Sequence, residues 1–159
     1  MSKILDRLYL GDRLSAYNQT FIVHNKINVI VNASKDIPNF YDSIPEIKYY
    51  RVPVEDNLEV DELNAFYFYA KSLIPILYQE YMEGKTILIH CFAGMQRSAA
   101  LVLLFLIYYY KKQNNINMSV SDAKFYILSK RPVAFKYGIY INFEPPVNSI
   151  VNEIHNNML

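Results

Sequence analysis

The sequence predicts an α/β domain whose central sheet, of about four or five mostly parallel and twisted strands, is flanked by helices. Three observations predict it. INVIVNAS (Ile27 to Ser34) and TILIH (Thr86 to His90) are β-branched or apolar runs of the kind buried on both faces of a sheet. Between such runs, apolar residues recur at spacings of three and four, the period of a helix. No repeat, Gly/Ser linker or long charge run divides the 159 residues, so residues 1–159 read as a single domain with its own core.

Taken in order, KILDRLYLG reads as a short strand entering a helix over Asp12 to Asn25. The strand Ile27 to Ser34 follows, then a loop with Pro38 and Pro45. KYYRVPV (Lys48 to Val54) is a strand whose Pro53 marks its end or an edge position. From Asp61, Leu63, Phe66, Ala70, Ile74 and Tyr81 share one face of a long helix, which Pro75 should kink and Gly84 should close. After the strand Thr86 to His90 comes a helix starting near Arg97. Its run AALVLLFLIYYY (Ala99 to Tyr110) falls short of the roughly 18 apolar residues that cross a bilayer, so it reads as a buried central helix and no membrane is expected. Tyr108, Tyr109 and Tyr110 then serve packing. Ser119 to Asp122 has the S-x-x-D form of a capping box and starts a helix that ends before Pro132. Pro146 to Asn157 forms the last helix.

With 16 basic and 15 acidic residues, composition supplies no electrostatic footprint for nucleic acid or an anionic membrane. No His/Cys/Asp/Glu cluster has metal-ligand spacing, so neither metal nor other cofactor is expected. The charged start, MSKILDRLYLGDRLS, is unlike a signal peptide. A single cysteine, Cys91, forms no internal disulfide and points to a reducing compartment, the cytoplasm. Fifteen tyrosines beside four glycines indicate a biased genome, that of a virus or protist. A viral source would place the protein in host cytoplasm or virion.

The chemistry concentrates in IHCFAGMQRS (Ile89 to Ser98), a loop between a buried strand and a helix. The first N–H groups of a helix lack intrahelical partners and sit at the positive end of its dipole, where phosphate binds. A thiol held there, close to Arg97, has its thiolate favoured, and the thiolate is the nucleophile. Arg97 offers a planar fork for two phosphate oxygens. Gly94 lets the backbone turn its amides inward, and Ser98 can donate to the sulfur as it leaves. The alternative is a small buried cysteine ending a core strand, which leaves the surrounding residues unexplained.

H-C-x-x-G-x-x-R-S resembles the signature of the cysteine-dependent protein tyrosine phosphatases, and in particular the small dual-specificity phosphatases, including the poxvirus type. LYLGD, VIVNAS, YYRVPVEDN and RPVAFKYGIYINF extend the resemblance over nearly the whole chain. It implies two chemical steps. Cys91 attacks phosphorus while a carboxylic acid protonates the leaving oxygen, and water then hydrolyses the phosphocysteine. The amides of Phe92, Ala93, Gly94, Met95, Gln96 and Arg97 would hold the phosphate or another oxyanion. Val54-Glu55-Asp56-Asn57 matches the family's acid segment, which makes Asp56 the expected general acid, with Glu55 and Asp61 as rivals. His90 is expected to orient the loop, and Asn32 and Asn142 fall where the family buttresses it, although turn asparagines are an equal reading. Arg131 and Lys136 read as solvated charges, or as contacts for a second phosphate.

Gln96 stands where many members have serine, and Ala99 where others have glycine; neither removes a catalytic group. The loop carries no cation besides Arg97, which disfavours phosphoinositides. A chain this short leaves little room for the segments that deepen a tyrosine-specific pocket, so phosphorylated proteins on tyrosine, serine or threonine are the expected substrates. Two rivals stand beside this reading: an RNA 5′-phosphatase, whose H-C-x-x-G-x-N-R-T this loop departs from, and an inactive module that captures phosphoproteins. Related viral phosphatases dimerise through an extra N-terminal helix, for which this chain offers little material, so monomer and homodimer both stay open.

Overall fold

Five strands form one sheet in the computed structural model, which describes residues 1–159: β1 (Ser2–Leu5), β2 (Leu8–Gly11), β3 (Val29–Asn32), β4 (Lys48–Arg51) and β5 (Ile87–His90). The spatial order is β1-β2-β5-β3-β4, and every pairing is parallel except the β1–β2 hairpin. Seven helices surround it: α1 (Arg13–Tyr17), α2 (Gln19–His24), α3 (Val60–Met82), α4 (Arg97–Asn114), α5 (Val120–Lys130), α6 (Ala134–Gly138) and α7 (Glu144–His155).

The period of two decides which face of the sheet each side chain serves. Val29, Val31, Ile87 and Ile89 join the large core with α3, α4, α5 and α7. Ile30 and Leu88 point the other way, against Phe21 and Ile22 of α2. α4 is buried on all sides from Arg97 to Tyr108, as a helix apolar all round must be. Tyr108 makes an edge contact with Tyr78, in keeping with a packing role. No helix is long and apolar enough to cross a membrane.

Two expectations need correction at the N-terminus. KILDRLYLG is a hairpin rather than one strand, turning at Asp6-Arg7 with Arg7 at φ 66°. The Arg7 guanidinium holds that turn, donating to the carbonyls of Tyr81 and Lys85 at 2.8 Å each. The predicted helix Asp12 to Asn25 is two short ones, because Asn18 ends α1 and its side chain caps α2 by accepting from Phe21 N at 3.1 Å. Apart from α6, a short left-handed segment where the sequence predicts no element, the others lie within a few residues of expectation. α3 carries Pro75 within its run, Gly84 follows at φ 90°, and Ser119 caps α5 by accepting from Asp122 N at 3.0 Å.

β5 lies at the centre of the sheet between β2 and β3. The crevice beyond the carboxyl ends of parallel strands is where open α/β sheets bind ligands. His90 and Cys91 leave β5 at that place, and α4 begins six residues later.

Candidate active site

Gln96 and the turn before it decide what the start of α4 can do. Gln96 is the N-cap residue, yet its side chain makes no capping bond to the helix, and no acidic residue lies in the first turn. The amides of Phe92, Ala93, Met95 and Gln96 make no backbone hydrogen bond of their own. They are donors at the positive end of an 18-residue helix, the arrangement that attracts an anion.

Cys91 sits within that ring, with 2 % of its surface exposed. Gly94 N donates to its Sγ at 3.2 Å, and Ser98 Oγ lies 3.1 Å from the same sulfur. Arg97 is buried, donates from Nη1 to Val54 O at 3.0 Å, and leaves Nε without a partner. A buried guanidinium N–H without an acceptor is costly unless an anion completes it.

Gly94 is required by its surroundings. Its φ is 66°, and a Cβ there would lie 2.6 Å from Arg131 Nη2 and 2.6 Å from Gly11 O. Arg131 is therefore no solvated charge, and the expected reading is corrected: it is 9 % exposed and lies behind the loop. Its Nε donates to Gly94 O at 2.8 Å, Nη2 to Ala93 O at 3.2 Å and Nη1 to Ser2 Oγ at 3.2 Å. Burial lowers its pKa, against which the charges of Asp12 and Cys91 act. By tying carbonyls backward, Arg131 leaves the loop's amides facing the cleft.

The cleft encloses about 200 Å³ and is lined by Cys91, Arg97, Asp56, Lys136, Tyr140 and Asn142, together with loop residues Phe92, Ala93, Met95 and Gln96. Asp56 reaches it where its rivals Glu55 and Asp61 do not. Asn142 Nδ2 donates to Asp56 Oδ1 at 2.6 Å, which leaves Oδ2 as the oxygen free to carry a proton. Asn142 in turn is held by Gln96, whose Oε1 accepts from Asn142 N at 2.9 Å while its Nε2 donates to Tyr140 O at 3.1 Å. Asn142 thus meets the acid segment and reaches the phosphate loop through Gln96.

The other expected supports lie further off. His90 is 1 % exposed, with Nδ1 3.4 Å from Cys91 O, and burial lowers its pKa from 6.5 to about 4. It is a neutral imidazole at neutral pH. Asn32 is fully buried beside it on β3, but its amide donates to Ile37 O at 2.7 Å and Asn39 Oδ1 at 3.0 Å. It orders the loop after β3 and makes no hydrogen bond to the phosphate loop.

Two supports escape the sequence reading. Glu62 of α3 accepts from Glu55 N at 2.8 Å and pairs with Lys35, whose cation holds the Glu62 carboxyl below its ordinary value. It pins the acid segment to the helix that follows. A carboxylate four residues before Phe66, on the core-facing side of α3, is the signal that could have revealed it. The other is Arg13, whose guanidinium lies 3.8 Å above the ring centre of Phe92, itself 51 % exposed at the cleft mouth.

Comparison with known proteins gives a consistent picture. Residues 8–136 match the family model of the dual specificity phosphatase catalytic domain. Mouse dual specificity protein phosphatase 18 is 34% identical over 134 residues, which is 84% of this chain and 64% of that protein. Human dual specificity protein phosphatase 21 is 33% identical over 83% of this chain and 63% of its own length. Human dual specificity protein phosphatase 8 is 27% identical over 83% of this chain, which spans only 19% of that longer protein. Among solved structures, a mouse dual specificity phosphatase complexed with zinc tungstate superposes with a TM-score of 0.80 at 22% identity, covering 98% of this chain and 89% of its own. OH1 from the Orf virus superposes with a TM-score of 0.74 at 20% identity, covering 95% and 86%. At those identities the structural likeness is one of fold.

Proposed function

The chain belongs to the dual specificity phosphatase family, and we propose that it hydrolyses phosphotyrosine and phosphoserine or phosphothreonine on proteins through a phosphocysteine at Cys91. The observation that carries this reading is the unfilled hydrogen-bonding capacity around one sulfur. Uncapped amides and an unpartnered Arg97 Nε line the same cleft as Cys91, whose sulfur already accepts from Gly94 N. A phosphate supplies the acceptors that the loop amides and Arg97 Nε lack. The tungstate of the mouse relative is an oxyanion of phosphate's shape, which agrees with a site of this kind.

In the first step the Cys91 thiolate attacks phosphorus in line, and the P–O bond to the substrate breaks as Asp56 Oδ2 delivers its proton to the leaving oxygen. Arg97 and the loop amides hold the equatorial oxygens as their charge spreads. In the second step water attacks the phosphocysteine, Asp56 takes a proton back, and Ser98 donates to the departing sulfur. Gly94 N and Ser98 Oγ are within 3.2 Å of that sulfur before any reaction begins. No step calls on a metal or organic cofactor.

A cleft of about 200 Å³ with a single cation, Lys136, beyond the loop suits one phosphate on one side chain. We place residues 1–159 in one catalytic domain, working in a reducing compartment such as the cytoplasm because Cys91 must stay a thiol. We also propose the poxvirus type, which the signature resembles, and a viral source, which the residue bias favours.

Hydrolysis of paired phosphotyrosine and phosphothreonine peptides by wild type and Cys91→Ser tests the reading. Turnover of both peptides, abolished by Cys91→Ser with peptide binding retained, is the expected result. Phosphate release from triphosphate-ended RNA alone would overturn it. So would peptide capture without turnover by the wild type.

A further inference from the structure

We propose that the groove between Leu58 and the Tyr140-Ile141 pair seats an apolar side chain that flanks the phosphorylated residue of the substrate, an inference that rests on the protein phosphatase reading above. The groove encloses about 390 Å³ and is lined by Asp56, Asn57, Leu58, Tyr140, Ile141 and Asn142. Three of these, Asp56, Tyr140 and Asn142, also line the catalytic cleft, so the two spaces share a wall. An extended peptide advances about 3.3 Å per residue, so a neighbour one or two positions from the phosphorylated residue lies about 3 to 7 Å along the chain from it.

A left-handed backbone stands in one wall, at Leu58, and in the turn that leads into the other. Eight non-glycine residues have positive φ. Arg7 turns the β1–β2 hairpin, and Lys26, Asn115 and Asn157 follow helix ends, where a left-handed residue is ordinary. The other four are Leu58 at 64°, in the acid segment, and Phe135, Lys136 and Tyr137 at 55°, 55° and 58°, which with Gly138 make a left-handed turn leading to Tyr140. Such residues persist only where neighbours impose them, and they gather at functional sites. Here the imposing bonds come from the phosphate loop. Met95 O accepts from Phe135 N at 2.7 Å, and the Gln96 side chain binds the backbone at Tyr140 and Asn142.

Leu58, Tyr140 and Ile141 give the groove its apolar surface. Leu58 is 59 % exposed beside the expected acid and has φ 64°, a backbone conformation uncommon for a branched side chain. Around it, Glu55, Asp56, Glu59 and Asp61 form no ion pair. An acidic neighbour on the substrate would be repelled there, while an apolar one would cover Leu58 and Ile141.

The test uses phosphotyrosine peptides identical except for Leu, Ala or Asp at each of the two positions on either side of the phosphorylated residue. At one position Leu should exceed Ala about fivefold in kcat/KM, chiefly through KM, with Asp below Ala. Leu58→Asn removes the apolar surface yet tolerates the left-handed backbone, and should bring the Leu/Ala ratio to about one. Ile141→Asn attacks the opposite wall and should do the same. Equal rates for Leu and Ala at every position, or a ratio unchanged in both variants, overturns the groove assignment alone. A wild type that cleaves none of the peptides overturns it together with the protein phosphatase reading.

Discussion

The phosphate loop is held from behind by a buried arginine, whereas the wall facing it across the cleft is held from the front by the loop's own glutamine. Arg131 reaches forward from the end of α5 to two loop carbonyls, and nothing about that contact is exposed to substrate. Gln96 reaches outward from the loop to Tyr140 and Asn142, and through Asn142 to Asp56. The difference teaches where rigidity is needed. The cradle must keep its amides fixed through both chemical steps, so its support lies behind it, away from substrate. The acid must be placed relative to the cradle, so its support starts from the cradle.

The largest way to break that contrast is to remove the rear support. Arg131→Met leaves Gly94 O and Ala93 O without their buried partner, and should cost about 3 kcal/mol of stability, read by denaturant unfolding. Turnover should fall by about a hundredfold, because the loop amides lose their direction. Gly94→Ala pushes a Cβ into the same guanidinium and into Gly11 O, and should reduce turnover as severely. Wild-type stability in either variant would show that the loop holds its own shape.

Removing the front support should be milder and more selective. Gln96→Ala frees the 140–142 backbone and loosens Asn142, so kcat/KM should fall by roughly tenfold for alkyl phosphates, which need a proton delivered, and hardly at all for a nitrophenyl phosphate. Stability should stay within about 1 kcal/mol. Equal losses for both leaving groups would place Gln96 in phosphate binding instead.

The smallest effect at neutral pH is expected behind the nucleophile. The folded-state pKa of His90, about 4, lies below its ordinary 6.5, so the unfolded chain takes up the proton first as pH falls. Stability is therefore complete above pH 6.5 and is lost as pH drops toward 4, by up to about 3 kcal/mol from this residue. His90→Gln should flatten that part of the stability profile while changing neutral-pH turnover by less than about threefold. An unchanged acid profile would mean that His90 is not buried neutral.

How far the site is legible in the sequence follows the same division. Strand, loop and helix around Cys91 are consecutive, so the cradle with Gly94, Arg97 and Ser98 could be read from local order and residue type. Asp56 was legible through family resemblance, since its loop offers three carboxylates and local pattern does not choose among them. Arg131, Glu62 and the left-handed turn at Phe135 to Tyr137 were not legible. Each depends on a contact between distant parts of the chain, as in Arg131 with Gly94, or on a backbone conformation that phenylalanine, lysine and tyrosine do not advertise. The N-terminal hairpin was missed for a related reason: Asp6-Arg7 lacks the glycine or asparagine that marks a tight turn, and Arg7 is held at positive φ by carbonyls more than seventy residues away.

The central claim, that Cys91 is the atom to which phosphate is transferred, is tested most directly by rapid quenching of the wild-type enzyme during turnover, followed by mass spectrometric mapping of the phosphorylated peptide. Phosphate on Cys91, absent from Cys91→Ser and accumulating further in Ser98→Ala as the second step slows, is the predicted result. Phosphate on His90 or on another side chain, or undiminished turnover by Cys91→Ser, would contradict it.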